Sequence, residues 1–201
     1  GGKDAASPRY VFTRLEEVTR ALFHPEDDLL LPYQDEDGQV IEPEYYAPVI
    51  PTVLVNGSDG IGTGWSSTVP NYNPREIMAN IRRLLRGEEP VEMHPWYRGF
   101  TGTIEPKGGR DAGSYAVMGT VRRVDDVTVE VVELPVKKWT QDYKQFLESM
   151  TVGASEEKGA FVKDFKERHT DTSVYFVITI SETAAPELLV DDQALLKRLK
   201  L

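Results

Sequence analysis

Residues 55–74, "VNGSDGIGTGWSSTVPNYNP", decide which kinds of fold the chain can have. Gly57, Gly60, Gly62 and Gly64 crowd around Ile61 and Trp65. A dinucleotide site would need G-x-G-x-x-G running straight from a strand into a helix. The spacing here is G-x-G-x-G, and a polar, proline-containing stretch, Ser66–Tyr72, intervenes before the next helix signal. No Gly-Lys-Ser/Thr follows either, so a phosphate-cradling loop is unsupported. The segment reads instead as a glycine-dense loop whose central side chain is a branched apolar one. Glycines permit tight reversals and positive φ, so Ile61 has two readings. It folds back into a core, or it stands out as a wedge of the kind that unstacks a base step and bends a duplex.

Downstream of the loop, "NYNPREIMANIRRLLRG" carries the strongest helix signal. Asn73 is its cap, Pro74 its first residue, Glu76 the partner in a capping box and Gly87 its end. Ile77, Ile81 and Leu84 form its apolar face, and Arg82, Arg83 and Arg86 lie where cations suit the helix dipole. From about residue 100 the period changes to two. "FTGTIEP", "GSYAVMGTVRRV", "DVTVEVVELP" and "TSVYFVITIS" predict strands, with a turn at Asp125-Asp126. "TQDYKQFLESM" predicts a helix with Thr140 as N-cap, "FVKDFKERH" a short helix, and "DDQALLKRLKL" a helical or mixed tail. Strands joined by helices around a hairpin make an α+β fold.

Upstream, "VIPTVLVNG" predicts a short strand closed by Asn56-Gly57, and residues 24–48 read as an acidic loop. The N-terminus, "GGKDAASPRYVFTRL", is a polar lead-in ending in Pro8-Arg9-Tyr10. Pro8 opens a predicted amphipathic helix over 8–23, with Val11, Leu15, Val18 and Leu22 as its buried face. In that reading Tyr10 is an ordinary half-buried aromatic. The alternative makes it a nucleophile with Arg9 as electrostatic partner.

Composition narrows the choice. There is no cysteine, which excludes disulfides and zinc-thiolate sites. His24, His94 and His169 lack ligand spacing. No run of about 18 apolar residues and no charged-then-apolar leader occurs, so neither a membrane span nor secretion is indicated, and a start at Gly-Gly suggests a piece of a longer polypeptide. The net charge of −10 argues at first against nucleic acid. However, no Lys or Arg lies between Arg20 and Arg75, while "PEDD", "DED" and "EPE" supply eight acids; −10 plus 8 leaves −2 for the rest. That remainder holds basic clusters at Arg82-Arg83-Arg86, Arg122-Arg123, Lys137-Lys138 and Lys197-Arg198-Lys200. Local fields over a screening length of about 8–10 Å, rather than the total, set the partner.

"GGKDAASPRY", then "NGSDGIGTGWS", "VPNYNPREI", "NIRRLLRGEEP" and "ELPVKKWTQDYK", in this order, closely resemble the cleavage-and-rejoining core of eukaryotic DNA topoisomerase II, a type IIA topoisomerase. The resemblance runs from residue 1 to about 180. It implies the C-terminal part of a winged-helix domain over 1–72, followed by a mixed sheet-and-helix tower domain over 73–201. Tyr10 matches the nucleophile that forms a 5′-phosphotyrosine, Arg9 the residue that stabilises charge at that phosphate, and Ile61 the intercalating, DNA-bending residue. Trp139 matches a DNA-contacting position, with Lys137 and Lys138 as neighbouring phosphate contacts. Lys3, Ser7 and Arg98 are assigned to DNA by location near these motifs.

The implied partners are double-stranded DNA and a second copy of the complete enzyme, and the implied location is the nucleus. A phenol titrating near pH 10 takes about 4 kcal/mol to ionise at pH 7, and one cation recovers only ~1–3 pH units. The family supplies the remainder with Mg²⁺ on an acidic cluster, and it drives strand passage with ATP. Nothing like that cluster occurs here: residues 26–28 and 35–37 read as solvated loop, so neither Mg²⁺ nor ATP is assigned to residues of this chain, which alone is expected to be inactive. Two rivals remain at this level. One is a non-catalytic DNA-bending module with an inert Tyr10. The other is a protein-interaction scaffold using the acidic loop over 26–44.

Overall fold

The computed structural model describes residues 6–111, 113–153 and 159–201. Backbone contacts divide the chain into two compact units, 1–96 and 97–201. The strong helix, expected to begin the second part at residue 73, is grouped with the first.

In the first unit a 3₁₀ turn (Pro8–Tyr10) and a single helical turn, α1 (Thr19–Leu22), stand in place of the one continuous helix that the spacing predicts. Of its expected buried face, Val11, Leu15 and Val18 are exposed and only Leu22 is half-buried. Short helices are marginal unless an apolar face packs, and the β-branched Val11, Thr13, Val18 and Thr19 weaken the propensity further. The acidic stretch is also more ordered than its composition suggests. After a 3₁₀ turn (Pro25–Leu29), strands β1 (Tyr33–Glu36) and β2 (Gln39–Pro43) form an antiparallel hairpin. Asp37 and Gly38 both take positive φ, 53° and 80°, as a two-residue turn of the primed type requires. The Asp35 carboxylate accepts from the Gly38 N–H at 2.9 Å.

"VIPTVLVNG" departs from the strand expectation: Thr52–Asn56 is a helix, α2. Pro51 holds the position before its first turn, and the apolar run is too short for periodicity to separate helix from strand. The glycine-dense loop is an antiparallel hairpin, β3 (Ser58–Gly62) and β4 (Trp65–Val69). α3 (Pro74–Leu85) forms where expected: the Asn73 side chain caps it by accepting from the Arg75 N–H, and Gly87, at φ 73°, terminates it. Of its expected apolar face, however, Ile81 is half-buried and Leu84, in the last turn, is exposed. Ile77 is buried, and the buried Asn80 amide bonds both ways with the Val91 backbone, at 2.7 and 2.8 Å.

The second unit begins with a two-stranded sheet, β5 (Thr103–Pro106) and β6 (Tyr115–Met118). Its core is an antiparallel four-stranded sheet in the order β7-β8-β10-β9. The strands are β7 (Thr120–Arg123), β8 (Thr128–Glu133), β9 (Val162–Glu167) and β10 (Phe176–Ile180). Asp125-Asp126 turns β7 into β8 as predicted, with the Asp125 carboxylate accepting from the Val127 and Thr128 amides, which lowers its pKa. Alternation is strict where it matters: Val129, Val131, Phe176, Ile178 and Ile180 are all fully buried.

"FVKDFKERH" is strand β9, not a helix: Val162–Glu167 pairs with β10 along its length, so ladder pairing overrides a weak helical pattern. α4 (Thr140–Ser149) covers the buried face with Tyr143 and Leu147, four residues apart. Its N-cap is Trp139, without a side-chain bond; Thr140, expected there, is the first helical residue. α5 (Ala185–Leu188) and α6 (Asp192–Arg198) complete the unit, with Leu195, Leu199 and Leu201 in the same core. Phe176 lies edge-on to Tyr143 at 5.3 Å. Phe176→Ala is therefore expected to destabilise the protein by about 3–5 kcal/mol, read as a lower urea midpoint; an unchanged midpoint would contradict this packing.

Candidate functional site

Pro8 fixes φ at the first position of its turn, and the Tyr10 N–H donates to the Ser7 carbonyl at 2.9 Å. Ser7 is exposed beside it. This short turn carries Tyr10 with 74% of its surface exposed, and the Arg9 guanidinium lies 5.1 Å from the Tyr10 ring centroid. Tyr10 is thus not the half-buried aromatic of the helix reading. The pair is adjacent, open and held by backbone rather than by packing. Lys3 lies outside the described residues.

Ile61 sits in β3 opposite Ser66, one residue before the end of the strand, and is 92% exposed. The alternative in which it folds back into the core is excluded by that exposure. A Cβ at Gly60 would meet nothing within 4 Å, so this glycine serves no close packing; it leaves the strand bare around Ile61. The base of the hairpin is tight by contrast. Gly57 has φ 69°, and a Cβ there would come within 2.7 Å of the Val69 carbonyl and the Asn71 side chain. Asn71 also donates to the Val55 carbonyl at 3.0 Å. A bare end on a pinned base suits a side chain pushed into a partner. Trp65, 84% exposed in the paired strand, stands opposite Gly62, one position along from Ile61, so strand alternation places it on the other face of the hairpin; its sequence context suggests no role for it.

In the second unit the turn Pro135–Lys138, closed by the Lys138 N–H on the Pro135 carbonyl, leads into α4. Lys137 is exposed and takes φ 68°. For a residue with a Cβ, that conformation costs of order 1–2 kcal/mol, so the surrounding contacts must impose it. Trp139, 48% exposed, follows. Lys138 is partly buried: its ammonium donates to the Lys200 carbonyl and lies 5.8 Å from the Tyr143 ring centroid. Burial, and secondarily Lys200, lowers its pKa. Arg98 is exposed in the same unit, next to Gly99. Among the described residues no group of three or more Asp, Glu or His could hold a metal ion, and no helix is long and apolar enough to cross a membrane.

The exposed Arg9-Tyr10 turn, the exposed Ile61 on its glycine-flanked hairpin and the Lys137-Lys138-Trp139 turn are the segments that the sequence motifs single out. The chain belongs to the DNA gyrase/topoisomerase IV A-subunit family, which matches residues 1–201. It is 55% identical to DNA topoisomerase 2 of Pisum sativum over 201 residues, all of this chain and 14% of that protein. It is 50% identical to DNA topoisomerase 2-alpha of Mus musculus over 188 residues, 93% of this chain and 12% of that one. The crystal structure of the Plasmodium falciparum topoisomerase II DNA-binding, cleavage and re-ligation domain superposes with a TM-score of 0.87 at 43% identity, over 100% of this chain and 26% of that chain. The chain therefore spans a small part of the relatives it matches.

Proposed function

We propose that this chain is part of a type IIA DNA topoisomerase that cuts both strands of one duplex, passes another through and reseals the break. Residues 1–72 are read as the C-terminal part of a winged-helix domain and 73–201 as the tower domain. The observation that carries the proposal is the open Tyr10 beside Arg9. The Tyr10 oxygen attacks a DNA phosphorus, the bond from phosphorus to the 3′ oxygen breaks, and the 5′ phosphate stays on tyrosine. The phenol proton leaves, and the 3′ oxygen takes up a proton as it departs. One phosphodiester replaces another, so the reverse attack by the 3′ hydroxyl reseals the strand without further fuel.

Arg9 supplies fixed positive charge and a forked donor set for the phosphate oxygens as charge builds there. Mg²⁺ and ATP are assigned to the complete enzyme; the acids among the described residues do not form the cluster that Mg²⁺ needs. Trp139, Lys137, Ser7 and Arg98 are read as DNA contacts, Lys3 with them by position, and the enzyme as a nuclear homodimer.

Ile61 is the wedge. Its exposure means that Ile61→Ala should leave stability within about 0.5 kcal/mol. Unstacking a base step takes a few kcal/mol that the wedge must supply, so DNA cleavage should fall at least about tenfold, a decade being about 1.4 kcal/mol. The test is end-to-end energy transfer on a doubly labelled duplex, together with cleavage rates, in a full-length enzyme carrying this chain. A smaller bend and slower cleavage are expected; an unchanged bend angle would remove Ile61 from the mechanism.

A further inference from the structure

Lys138 stands beside a residue read as a DNA contact, yet its charge is directed into the protein. Its ammonium donates to the Lys200 carbonyl and lies over the ring of Tyr143, a core residue of α4. The far end of this link is rigid. Lys200 takes φ 54° just beyond α6, the Leu201 N–H returns to the Leu196 carbonyl at 2.9 Å, and the Lys200 N–H reaches the Lys197 carbonyl at 3.2 Å. This is a Schellman-type helix end. Leu199 and Leu201 on either side are buried in the core, which fixes the Lys200 carbonyl between them. The carbonyl also lies at the negative end of α6, where an ammonium is favoured. Lys200 repeats the arrangement one turn along α4, its own ammonium 4.4 Å from the Phe146 ring centroid.

The near end of the link is the strained turn. Lys137 at φ 68° carries the chain round so that Lys138 meets the C-terminal turn while Trp139, the N-cap of α4, is half exposed to solvent. We propose that Lys138 is a positioning residue, which ties the turn bearing Trp139 to the Lys200 carbonyl and thereby sets how Trp139 is presented to DNA. This assignment rests on the reading of Trp139 as a DNA contact. It replaces the phosphate-contact role expected of Lys138 from its sequence neighbourhood.

The two roles differ in salt dependence and in coupling. A lysine on a phosphate contributes about 0.9 to the slope of log affinity against log salt; a lysine that only holds its neighbour contributes none. DNA binding is to be measured across salt concentrations for a full-length enzyme carrying K138M, K138R, W139A and K138M/W139A, with K137A as comparator. K138M keeps the aliphatic stem over Tyr143 and removes the charge. It is expected to weaken binding about tenfold, the scale of one charge-assisted hydrogen bond, at an unchanged salt slope. K138R, which keeps a donor for the carbonyl, should restore affinity. In the W139A background K138M should add nothing, because contacting residues couple.

A salt slope reduced by about one, full affinity in K138M, or additive losses in the double variant would each overturn the proposal. If W139A itself binds DNA normally, the assignment of Trp139 as a contact fails, and the positioning role fails with it. If W139A weakens binding while K138M does not, only the positioning role fails.

Discussion

Tyr10→Phe in a full-length enzyme carrying this chain is expected to abolish DNA cleavage and relaxation while leaving duplex binding within about twofold. The substitution removes one oxygen atom. Tyr10 is 74% exposed and is held by its backbone turn, so no packing is lost and no buried partner is orphaned. Phenylalanine keeps the ring against which Arg9 lies, 5.1 Å from its centroid. What disappears is the oxygen that accepts the phosphoryl group in the proposed reaction. Removing a nucleophile of this kind typically lowers turnover by more than about 10⁴-fold. Gel-based relaxation of supercoiled plasmid, with binding measured in parallel, checks this. Residual relaxation at a tenth of the normal rate would mean that another group attacks the phosphate.

Arg9→Ala is expected to slow cleavage by about 10²–10³-fold, the usual effect of removing one preorganised donor to a developing oxyanion. The magnitude separates two roles. The stacking of an exposed guanidinium on a tyrosine ring is worth only about 0.5–1 kcal/mol, several-fold in rate at most. Stabilising charge on the attacked phosphate is worth about 2.7–4 kcal/mol. Arg9→Lys should fall between, since an ammonium keeps the charge but loses the planar fork that fits two phosphate oxygens. Single-turnover cleavage at saturating DNA gives the numbers. A loss confined to DNA affinity, with the saturated rate intact, would make Arg9 a binding residue and leave the transition state to other groups.

Much of the second unit is legible in its sequence, because β8 and β10 alternate cleanly and α4 repeats its apolar residues at helical spacing. β9 is not, since "KDFKE" has no strand period of its own and becomes a strand by pairing with β10. The first unit is harder to read. Val11, Leu15 and Val18 have helical spacing, but spacing makes a helix only where the apolar face is packed, and here it is exposed. The Asp37-Gly38 turn is hidden inside an acidic run whose charge suggests a solvated loop.

The site divides in the same way. Residue types at Arg9, Tyr10, Ile61 and Trp139 can be matched to a family by motif, and their exposure cannot. Lys138 illustrates the limit, because its sequence neighbours suggest phosphate while its ammonium is on the Lys200 carbonyl, a residue far along the chain. Trp65 carries no signal beyond membership of the glycine-rich run, and only the pairing of β3 with β4 sets it opposite Gly62, exposed near the hairpin end.

The identity of the attacking atom is the point on which the proposed chemistry stands most directly. Duplex labelled at 5′ or at 3′ ends should be incubated with the full-length enzyme, the reaction stopped with detergent, and the protein digested for mass analysis of DNA-linked peptides. The expected result is protein attached to the 5′ end generated at the break, through a single peptide containing Pro8-Arg9-Tyr10, with the phosphate on the Tyr10 oxygen. A covalent adduct on any other residue, attachment through the 3′ phosphate, or cleavage without an adduct would contradict it.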